Sequence, residues 1–203
     1  VWLRNLGYDY GVLSTKKYPI RSIVIGNLAV GGTGKTPMTE YLIGILRDHF
    51  RIATLSRGYG RKTKGFRYVH TNDQATESGD EPLQLKRKFP TLTVAVAEDR
   101  RVGIEQLLSD HDLILLDDAY QHRRVTATCN ILLFDYESLL KPMWPLPTGN
   151  FRDGLPQARR AHLIVITKTP ENANQEDRSR MIQRLKKHSS ASIFFSGIRY
   201  GTP

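Results

Sequence analysis

Short apolar runs recur along the chain and alternate with longer segments that have the apolar spacing of helices. The runs are continuous rather than alternating, as expected for parallel strands that are covered on both faces. We therefore predict an α/β fold of the P-loop NTPase type, with a mainly parallel sheet of about seven strands and helices on both faces. The predicted strands are Ile20–Asn27, Ile52–Leu55, Thr93–Ala97, Leu113–Asp117, Ile131–Asp135, Leu163–Thr167 and Ile193–Ser196.

Four segments between these runs predict helices, and the last of them is amphipathic, with apolar residues on one side and basic residues on the other. The segment Phe66–His70 is a candidate arm of a small hairpin excursion. Residues 141–160 contain closely spaced prolines and predict a long loop, which in a compact domain often has a function. The predicted helices are Thr36–Phe50, Asp80–Lys88, Arg100–Leu108 and Gln175–His188.

The first predicted strand leads directly into a glycine-rich segment and a helix start, an order typical of the phosphate-binding P-loop. Glycines let backbone N–H groups turn toward a polyphosphate without Cβ clashes. Lys35 can reach the β- and γ-phosphates, and the Thr36 hydroxyl can bind Mg2+. The predicted nucleotide-binding residues are Ala29, Val30, Gly31, Gly32, Thr33, Gly34, Lys35 and Thr36, with Ala29 standing where the usual pattern has glycine.

A later apolar run ends in two acids, Asp117 and Asp118. This pattern predicts a buried strand that brings a carboxylate to the Mg2+ beside the P-loop, because Mg2+ keeps waters and phosphate oxygens and needs few protein ligands. The two side chains should point to opposite faces of the strand. The sequence leaves open which of them contacts the metal directly.

Asp80 lies in the segment Gly79–Pro82, at a predicted junction between a loop and a helix. One interpretation is a helix N-cap, with a proline inside the first turn. The other is a general base that takes the proton from an acceptor hydroxyl, as phosphoryl transfer requires. The spacing by itself favours the cap, and one residue can serve both purposes.

The composition of the 203 residues fits one sizeable domain, which we take as residues 1–203. The single cysteine, Cys129, excludes an internal disulfide framework and is expected in the core. The six histidines show no metal-ligand spacing, and no Ser/His/Asp order indicates a hydrolase. No apolar stretch has the length of a membrane span.

A net charge of +10 favours an anionic partner, such as a polyphosphate, an acidic lipid surface or nucleic acid. Basic residues concentrate between Arg57 and Arg67, where aromatic residues are interleaved and acids are absent. This stretch is either a solvated loop or the entrance of a site that binds a phosphorylated or amphiphilic substrate. Because no nucleic-acid-binding module accompanies the charge, we expect no nucleic-acid partner.

Two other P-loop classes are disfavoured by particular residues. Partition-type ATPase switches carry a further lysine before the double glycine, where this chain has Val30. GTPases read guanine with an Asn-Lys-x-Asp segment, whereas residues 167–170 read Thr-Lys-Thr-Pro. ATP is therefore the expected nucleotide, and an ATPase switch that recruits a partner at the membrane is the alternative function.

Taken together, the motifs resemble those of the tetraacyldisaccharide 4'-kinase family, the lipid A 4'-kinases of Gram-negative bacteria. The segments Ser56–Arg61 and Asp117–Arg124 are far more specific than a P-loop. The matching segments run in order over nearly all of the chain, from Arg4-Asn5, Tyr8-Asp9 and Gly11 through Gly26–Leu28, Val30–Pro37, Ser56–Arg61, Gly79–Pro82, Glu98–Arg100 and Asp117–Arg124 to Trp144–Pro147, Gly149 and Arg152.

The resemblance implies transfer of the γ-phosphate of ATP to the 4'-hydroxyl of a tetraacylated glucosamine disaccharide 1-phosphate, a lipid A precursor. It implies that Lys35 and Thr36 bind phosphates and Mg2+ and that Asp80 is the base. It also implies that Asp117 and Asp118 organise Mg2+.

Several further residues of the matched motifs have weaker assignments. Arg57, Arg61 and Arg100 are candidates for contacts with substrate or phosphate, and His122 has no assigned role. The rings of Trp144 and Phe151 predict either apolar contact with a membrane or packing in the core.

The resemblance also implies a peripheral protein at the cytoplasmic face of the bacterial inner membrane. Its partners would be the lipid A precursor and an anionic membrane surface, with no protein partner. The family carries an N-terminal hydrophobic segment and a C-terminal lobe whose histidine pairs with the base. We expect both to lie outside residues 1–203, which would leave Asp80 without an orienting partner there.

Overall fold

A mainly parallel eight-stranded sheet organises the molecule in a computed structural model, which describes residues 2–144 and 146–197. The strands are β1 (Lys16–Lys17), β2 (Arg21–Asn27), β3 (Ile52–Ser56), β4 (Arg67–Tyr68), β5 (Thr93–Val96), β6 (Leu113–Asp117), β7 (Val125–Thr126), β8 (Cys129–Asp135), β9 (Leu163–Thr167) and β10 (Ser192–Phe195). The order across the large sheet is β10-β9-β8-β2-β6-β3-β5-β4, and β1 pairs with β7 in a separate two-stranded sheet.

Helices connect the parallel strands, as parallel pairing requires a crossover. They are α1 (Trp2–Asp9), α2 (Lys35–Leu46), α3 (Ala75–Ser78), α4 (Asp80–Lys88), α5 (Arg100–Leu107), α6 (Tyr136–Leu140) and α7 (Gln175–Lys186), with a 3-10 helix at Leu155–Arg160. None of the helices in the described residues is long and apolar enough to cross a membrane.

The core has two parts, one on each face of the sheet. In β6, Ile114 and Leu116 belong to one cluster of buried side chains, whereas Leu113 and Leu115 belong to the other. Since neighbouring side chains of a strand point to opposite faces, both faces of this strand are buried. This double burial explains the continuous apolar runs in the sequence.

The predicted α/β class, the seven strands and the four helices are confirmed, with ends that differ by a few residues. Phe66–His70 differs from the prediction, because β4 pairs antiparallel with β5 at the edge of the large sheet. Two helices, α3 and α4, separate these strands in the chain, so β4 is an edge strand and not an arm of a local hairpin.

The long predicted loop is largely irregular, and its two rings have different environments. Phe151 is buried and pairs with Ala29 through an isolated β-bridge, so its ring packs in the core. Trp144 is 62% exposed, whereas Pro145 lies outside the described residues. Cys129 is half-buried and packs against one of the two core clusters, as predicted.

Candidate functional site

The predicted nucleotide-binding segments meet at one edge of the sheet. β2 and β6 are parallel neighbours, with Ile25 opposite Asp117. The P-loop follows β2 and Asp118 follows β6, so both lie at the carboxyl ends of their strands. In open α/β sheets, ligands bind at this edge.

The P-loop depends on two glycines with backbone angles that other residues rarely adopt. Gly31 has a φ of 115° and Gly34 a φ of 80°. Gly34 is also the N-cap of α2, so the loop passes directly into the helix. The positive end of α2 therefore faces the space where an anion would bind.

Hydrogen bonds from two strand ends hold the P-loop in place. The Asn27 amide donates to the Thr33 hydroxyl at 2.7 Å, and the Thr167 hydroxyl donates to the Thr33 carbonyl at 2.9 Å. The backbone amide of Val30 donates to the Asn150 carbonyl at 2.6 Å. The sheet and the loop after α6 thus preorganise the loop without a ligand.

Lys35 and Asp118 approach each other across this edge. The Lys35 Nζ lies 3.7 Å from Asp118 Oδ1, and Arg152 Nη1 donates to Asp118 Oδ2 at 3.5 Å. Asp118 Oδ1 is buried and has no hydrogen-bond partner within the described part of the chain. An orphaned carboxylate oxygen beside a P-loop fits a cation ligand.

The backbone at Asp118 overturns the expectation that the two acids point to opposite faces of a strand. β6 ends at Asp117, and Asp118 has a φ of 46°, in the left-handed region that aspartate tolerates better than most residues. Its amide donates to Asp117 Oδ1 at 2.9 Å. Strand alternation therefore does not govern Asp118.

Asp117 is half-buried at the strand end, and its pKa is raised to about 6. The main cause is burial, followed by repulsion from Glu81 and Asp118, while Lys35 acts in the opposite direction. A bound divalent cation would relieve this repulsion. Within the described residues, no group of three or more acids, histidines or cysteines is arranged so that it could hold a metal ion by itself.

Glu81 is a site residue that the sequence interpretation did not single out. Glu81, in the first turn of α4, is close enough to Asp117 to raise the pKa of that carboxyl. The only signal in the sequence was its position directly after Asp80.

Asp80 is the first residue of α4 and is exposed. The N-cap interpretation of Asp80 is wrong, because Gly79 occupies that position and makes no side-chain cap. Gly79 has a φ of 91°, and a Cβ there would lie 2.9 Å from the Tyr59 carbonyl oxygen. The backbone of the loop after β3 thus packs directly against the start of α4.

The three candidate arginines have different environments. The Arg61 side chain is 2% exposed and donates to Glu98 and to the Gly65 carbonyl, each at 2.6 Å. Arg100 is buried, which lowers its pKa to about 10, and it donates to the Ala97 carbonyl at 2.6 Å. Arg57 is exposed. Contacts of all three with substrate stay predictions, and Arg57 is the most accessible.

The segment after Asp118 carries residues that sequence patterns did not assign. Gln121 donates to the Asn27 carbonyl at 2.6 Å and thereby joins this segment to the end of β2. A Cβ at Gly26 would lie 2.6 Å from the Tyr120 Cβ, so glycine is needed for this close approach. His122 Nε2 is buried, lies 3.8 Å from Asp99 Oδ1 and has no hydrogen-bond partner in residues 2–144 and 146–197.

The fold and the site define a P-loop protein of the α/β class, with its nucleotide site at the carboxyl edge of the sheet. The defining features are the strand, the glycine-rich loop that follows it, the lysine and the acid pair. The model of one family, described as Tetraacyldisaccharide-1-P 4'-kinase (LpxK), matches residues 1–196. The chain belongs to this family.

Known proteins agree with this assignment. The tetraacyldisaccharide 4'-kinase of Flavobacterium johnsoniae is 47% identical over 201 residues, which cover 98% of this chain and 59% of that protein. The structure of LpxK from Aquifex aeolicus in complex with ATP superposes with a TM-score of 0.78 at 30% identity, covering 99% of this chain and 80% of that one. The hydrogenase maturation factor HypB from Archaeoglobus fulgidus, with a TM-score of 0.51 at 16% identity, shares the fold.

The chain spans a little over half the length of the curated relatives that it matches first, with 59%, 59% and 56% of their lengths covered.

Proposed function

We propose that this chain binds ATP and transfers its γ-phosphate to the 4'-hydroxyl of a tetraacylated disaccharide 1-phosphate. The observation that carries the proposal is the approach of Lys35 Nζ to within 3.7 Å of Asp118, at the P-loop edge of a family member. ATP as donor is supported by the ATP complex of the Aquifex aeolicus relative. The acceptor is the one that the family description names.

In this proposal the residues Ala29–Thr36 hold the triphosphate. Thr36, Asp117 and Asp118 would hold Mg2+, which when bound neutralises phosphate charge. The Lys35 ammonium stabilises the negative charge that develops on the transferred phosphoryl group. Arg152 keeps the Asp118 carboxylate oriented, since its guanidinium donates to the oxygen that does not face Lys35.

Asp80 is the proposed base that accepts the proton of the 4'-hydroxyl. Its exposed carboxylate lies one residue before Glu81, whose charge acts on Asp117. A base beside the metal site and open to solvent can meet an acceptor that enters from outside. Proton removal makes the attacking oxygen a better nucleophile, while positioning and charge neutralisation supply most of the rate.

The proposed location is the cytoplasmic face of a bacterial inner membrane, with an anionic lipid surface as the docking partner. The net charge of +10 would draw the chain toward such a surface. Exposed apolar rings, Tyr59 at 91% and Trp144 at 62%, could enter the headgroup region. The alternative ATPase switch is not favoured, since Val30 stands where that class has a lysine.

Transfer of 32P from γ-labelled ATP to the disaccharide lipid tests the proposal on the full chain. We expect Asp80→Asn to lower kcat at least about a hundredfold with little change in ATP affinity, because this variant loses only the removal of the proton. Lys35→Ala should lower kcat by a similar factor, since it removes a charge at the transferring phosphoryl. The matched control is Asp110→Asn, an exposed acid outside the site.

A wild-type chain that binds ATP but does not label the lipid would contradict the proposal. Equal activity of Asp80→Asn and Asp110→Asn would remove Asp80 as the base and leave the rest of the proposal standing.

A further inference from the structure

Asn5 is a buried polar residue on α1. Its side chain is 4% exposed, whereas Arg4 and Asp9 on the same helix are exposed. Burying an amide is costly unless it is hydrogen-bonded, so the contacts of Asn5 indicate why it is there. Its Nδ2 donates to Asp153 Oδ1 at 2.9 Å, and its carbonyl accepts from Arg123 Nη1 at 3.0 Å.

Asp153 is itself buried, and the Asn5 amide directs its carboxylate. Within the described part of the chain, Asp153 Oδ1 accepts from Asn5, and Oδ2 has no hydrogen-bond partner. Burial lowers the pKa of Arg160, and Asp153 is among the charges that act in the opposite direction, so a guanidinium nearby compensates the buried carboxylate. Asn5 therefore supplies orientation to Asp153 through a neutral donor, and Arg160 supplies charge.

Asp153 belongs to a segment, residues 150–153, that packs along the start of the P-loop. The Leu28 carbonyl accepts from the backbone amide of Arg152 at 2.7 Å and from that of Asp153 at 3.4 Å. The Arg152 side chain extends from this segment to the acid pair, where its Nη1 donates to Asp118 Oδ2 at 3.5 Å. A displacement of Asp153 would therefore move Arg152 relative to Asp118.

α1 also holds the chain on the other side of Asp118. Arg123 follows Asp118 by five residues, and it donates to the Asn5 carbonyl and to Asp9 Oδ1, the latter at 2.7 Å. Arg159 forms a second ion pair with Asp9 at 2.5 Å. Asn5 thus bonds to both segments that meet at Asp118, one through its side chain and the other through its backbone.

We propose that Asn5 is a positioning residue for phosphoryl transfer. Its amide fixes Asp153, and Asp153 in turn fixes the neighbouring Arg152. Arg152 then keeps the Asp118 carboxylate in place beside Lys35. The inference rests on the proposed function, in which Asp118 holds Mg2+ for the transfer.

An asparagine suits this position because its amide donates to a carboxylate without adding a charge. An aspartate there would face the Asp153 carboxylate at hydrogen-bond distance and repel it. An apolar residue would leave Asp153 Oδ1 buried without its donor, which costs more than the bond itself contributes.

Exchange of the two side chains tests the proposal on the full chain. Asn5→Asp should lower kcat for transfer of 32P to the disaccharide lipid by about tenfold, the effect of losing one hydrogen bond to a charged group. The double variant Asn5→Asp/Asp153→Asn has the net charge of the wild type and again pairs an amide with a carboxylate. It should recover most of the lost kcat, and KM for ATP should stay unchanged in both variants.

Leu6→Ala is the matched control, because it removes apolar contact from the adjacent half-buried residue of α1 and leaves the bond to Asp153 intact. This variant should lower the melting temperature and keep the kcat of the wild type. An equal loss of kcat in Leu6→Ala and Asn5→Asp would overturn the proposal, since general loosening of α1 would then explain both. A double variant that remains as slow as Asn5→Asp would also overturn it.

The second experiment observes Arg152 directly and needs no turnover. In the 15N-labelled full chain without nucleotide, the guanidinium resonances of Arg152 are assigned by their loss in Arg152→Lys. In Asn5→Asp they should move toward their positions in Asp118→Asn, where the ion pair of Arg152 is lost, and in the double variant they should return to those of the wild type.

Arg152 resonances that Asn5→Asp leaves in place would overturn the proposal. If the resonances shift as expected in a chain whose wild type transfers no phosphate, the proposed kinase function is contradicted and the link from Asn5 to Arg152 is supported.

Discussion

Asp117 is a carboxylate whose surroundings disfavour its charge. Burial, Glu81 and Asp118 raise its pKa to about 6, and Lys35 compensates only in part. A bound divalent cation would offset this cost. Among single residues, Asp117 is therefore the best reporter of the proposed metal site.

Asp117→Asn should raise the melting temperature above pH 6 and leave it unchanged near pH 4. The folded-state pKa lies above the ordinary value of 3.8, so between these pH values the unfolded chain has released its proton while the folded chain still holds it. Folding stability due to this group therefore falls as the pH rises through that window. Thermal unfolding at several pH values, without metal, measures the effect.

Asp112→Asn is the opposite control. Arg51 holds the pKa of Asp112 at about 2, below its ordinary value, so the ionised form is favoured in the folded state. This variant should lower the melting temperature at pH 7, by a small amount because the pair is exposed. A rise for both variants would show that the loss of any carboxylate, and not the site, is responsible.

Sequence patterns are informative about single residues where the local backbone conformation restricts the residue type. Gly31 and Gly34 have the positive φ values for which a glycine-rich loop is suited, whereas their contact with a nucleotide stays a prediction. The position of the Arg61 side chain, in contrast, depends on the acid with which it forms an ion pair. Its pairing with Glu98 joins positions that are distant in sequence, and no local pattern encodes it.

The position of the helix start that carries Asp80 depends on a close contact between the loop after β3 and the turn before α4. Gly58 and Gly79 face each other, and a Cβ on Gly58 would lie 2.9 Å from the Ser78 carbonyl oxygen. This contact sets the start of α4 beside the loop that carries Arg57. We expect its disruption to move the proposed base.

Gly79→Ala should destabilise the protein more than Gly60→Ala. Both glycines have positive φ values, 91° and 81°, so each alanine carries a backbone penalty of about 1–3 kcal/mol. Only at Gly79 does the new Cβ also meet backbone atoms, at 2.9 Å, whereas nothing lies within 4 Å at Gly60. Urea unfolding of the two variants measures the difference in free energy of unfolding, and equal values would show that the loops are not in fixed contact.

Element-scale prediction failed for short elements. α1 has only eight residues and includes Gly7, so it is too short to be stable by itself. It is held by tertiary contacts, since Arg123 donates to the Asn5 carbonyl at 3.0 Å and Asn5 donates to Asp153 at 2.9 Å. A helix stabilised in this way cannot be recognised from its own residues.

At the scale of the whole molecule, the charge of +10 is unevenly distributed. The basic segment between β3 and β4 exposes Arg57, Lys62 and Lys64, while Arg61 is buried in its ion pair. The hypothesis that this segment forms the entrance of a substrate site therefore depends on the exposed basic residues. Arg61 instead stabilises the segment through its ion pair with Glu98.

Arg57→Glu/Lys64→Glu should weaken binding to vesicles that contain phosphatidylglycerol. Each charge near an anionic surface contributes about 1 kcal/mol, so two reversals should lower the partition coefficient by more than tenfold. Flotation at low and high salt measures it, with Arg180→Glu on α7 and Lys187→Glu directly after it as the control pair of equal net charge. If both pairs weaken binding equally, the segment has no special role and only the net charge matters.

The sequence by itself determined the class of fold, the P-loop and the acid pair, because apolar runs, glycine geometry and strand-terminal acids are local properties that burial and backbone sterics impose. Tertiary structure alone decided which side chains reach one another. It turned Asp118 toward Lys35, set Glu81 near enough to raise the pKa of Asp117, and placed Arg4 of α1 in the same cavity lining as Arg124. Coulomb energies and burial depend on distances across the fold, and chain order does not contain those distances.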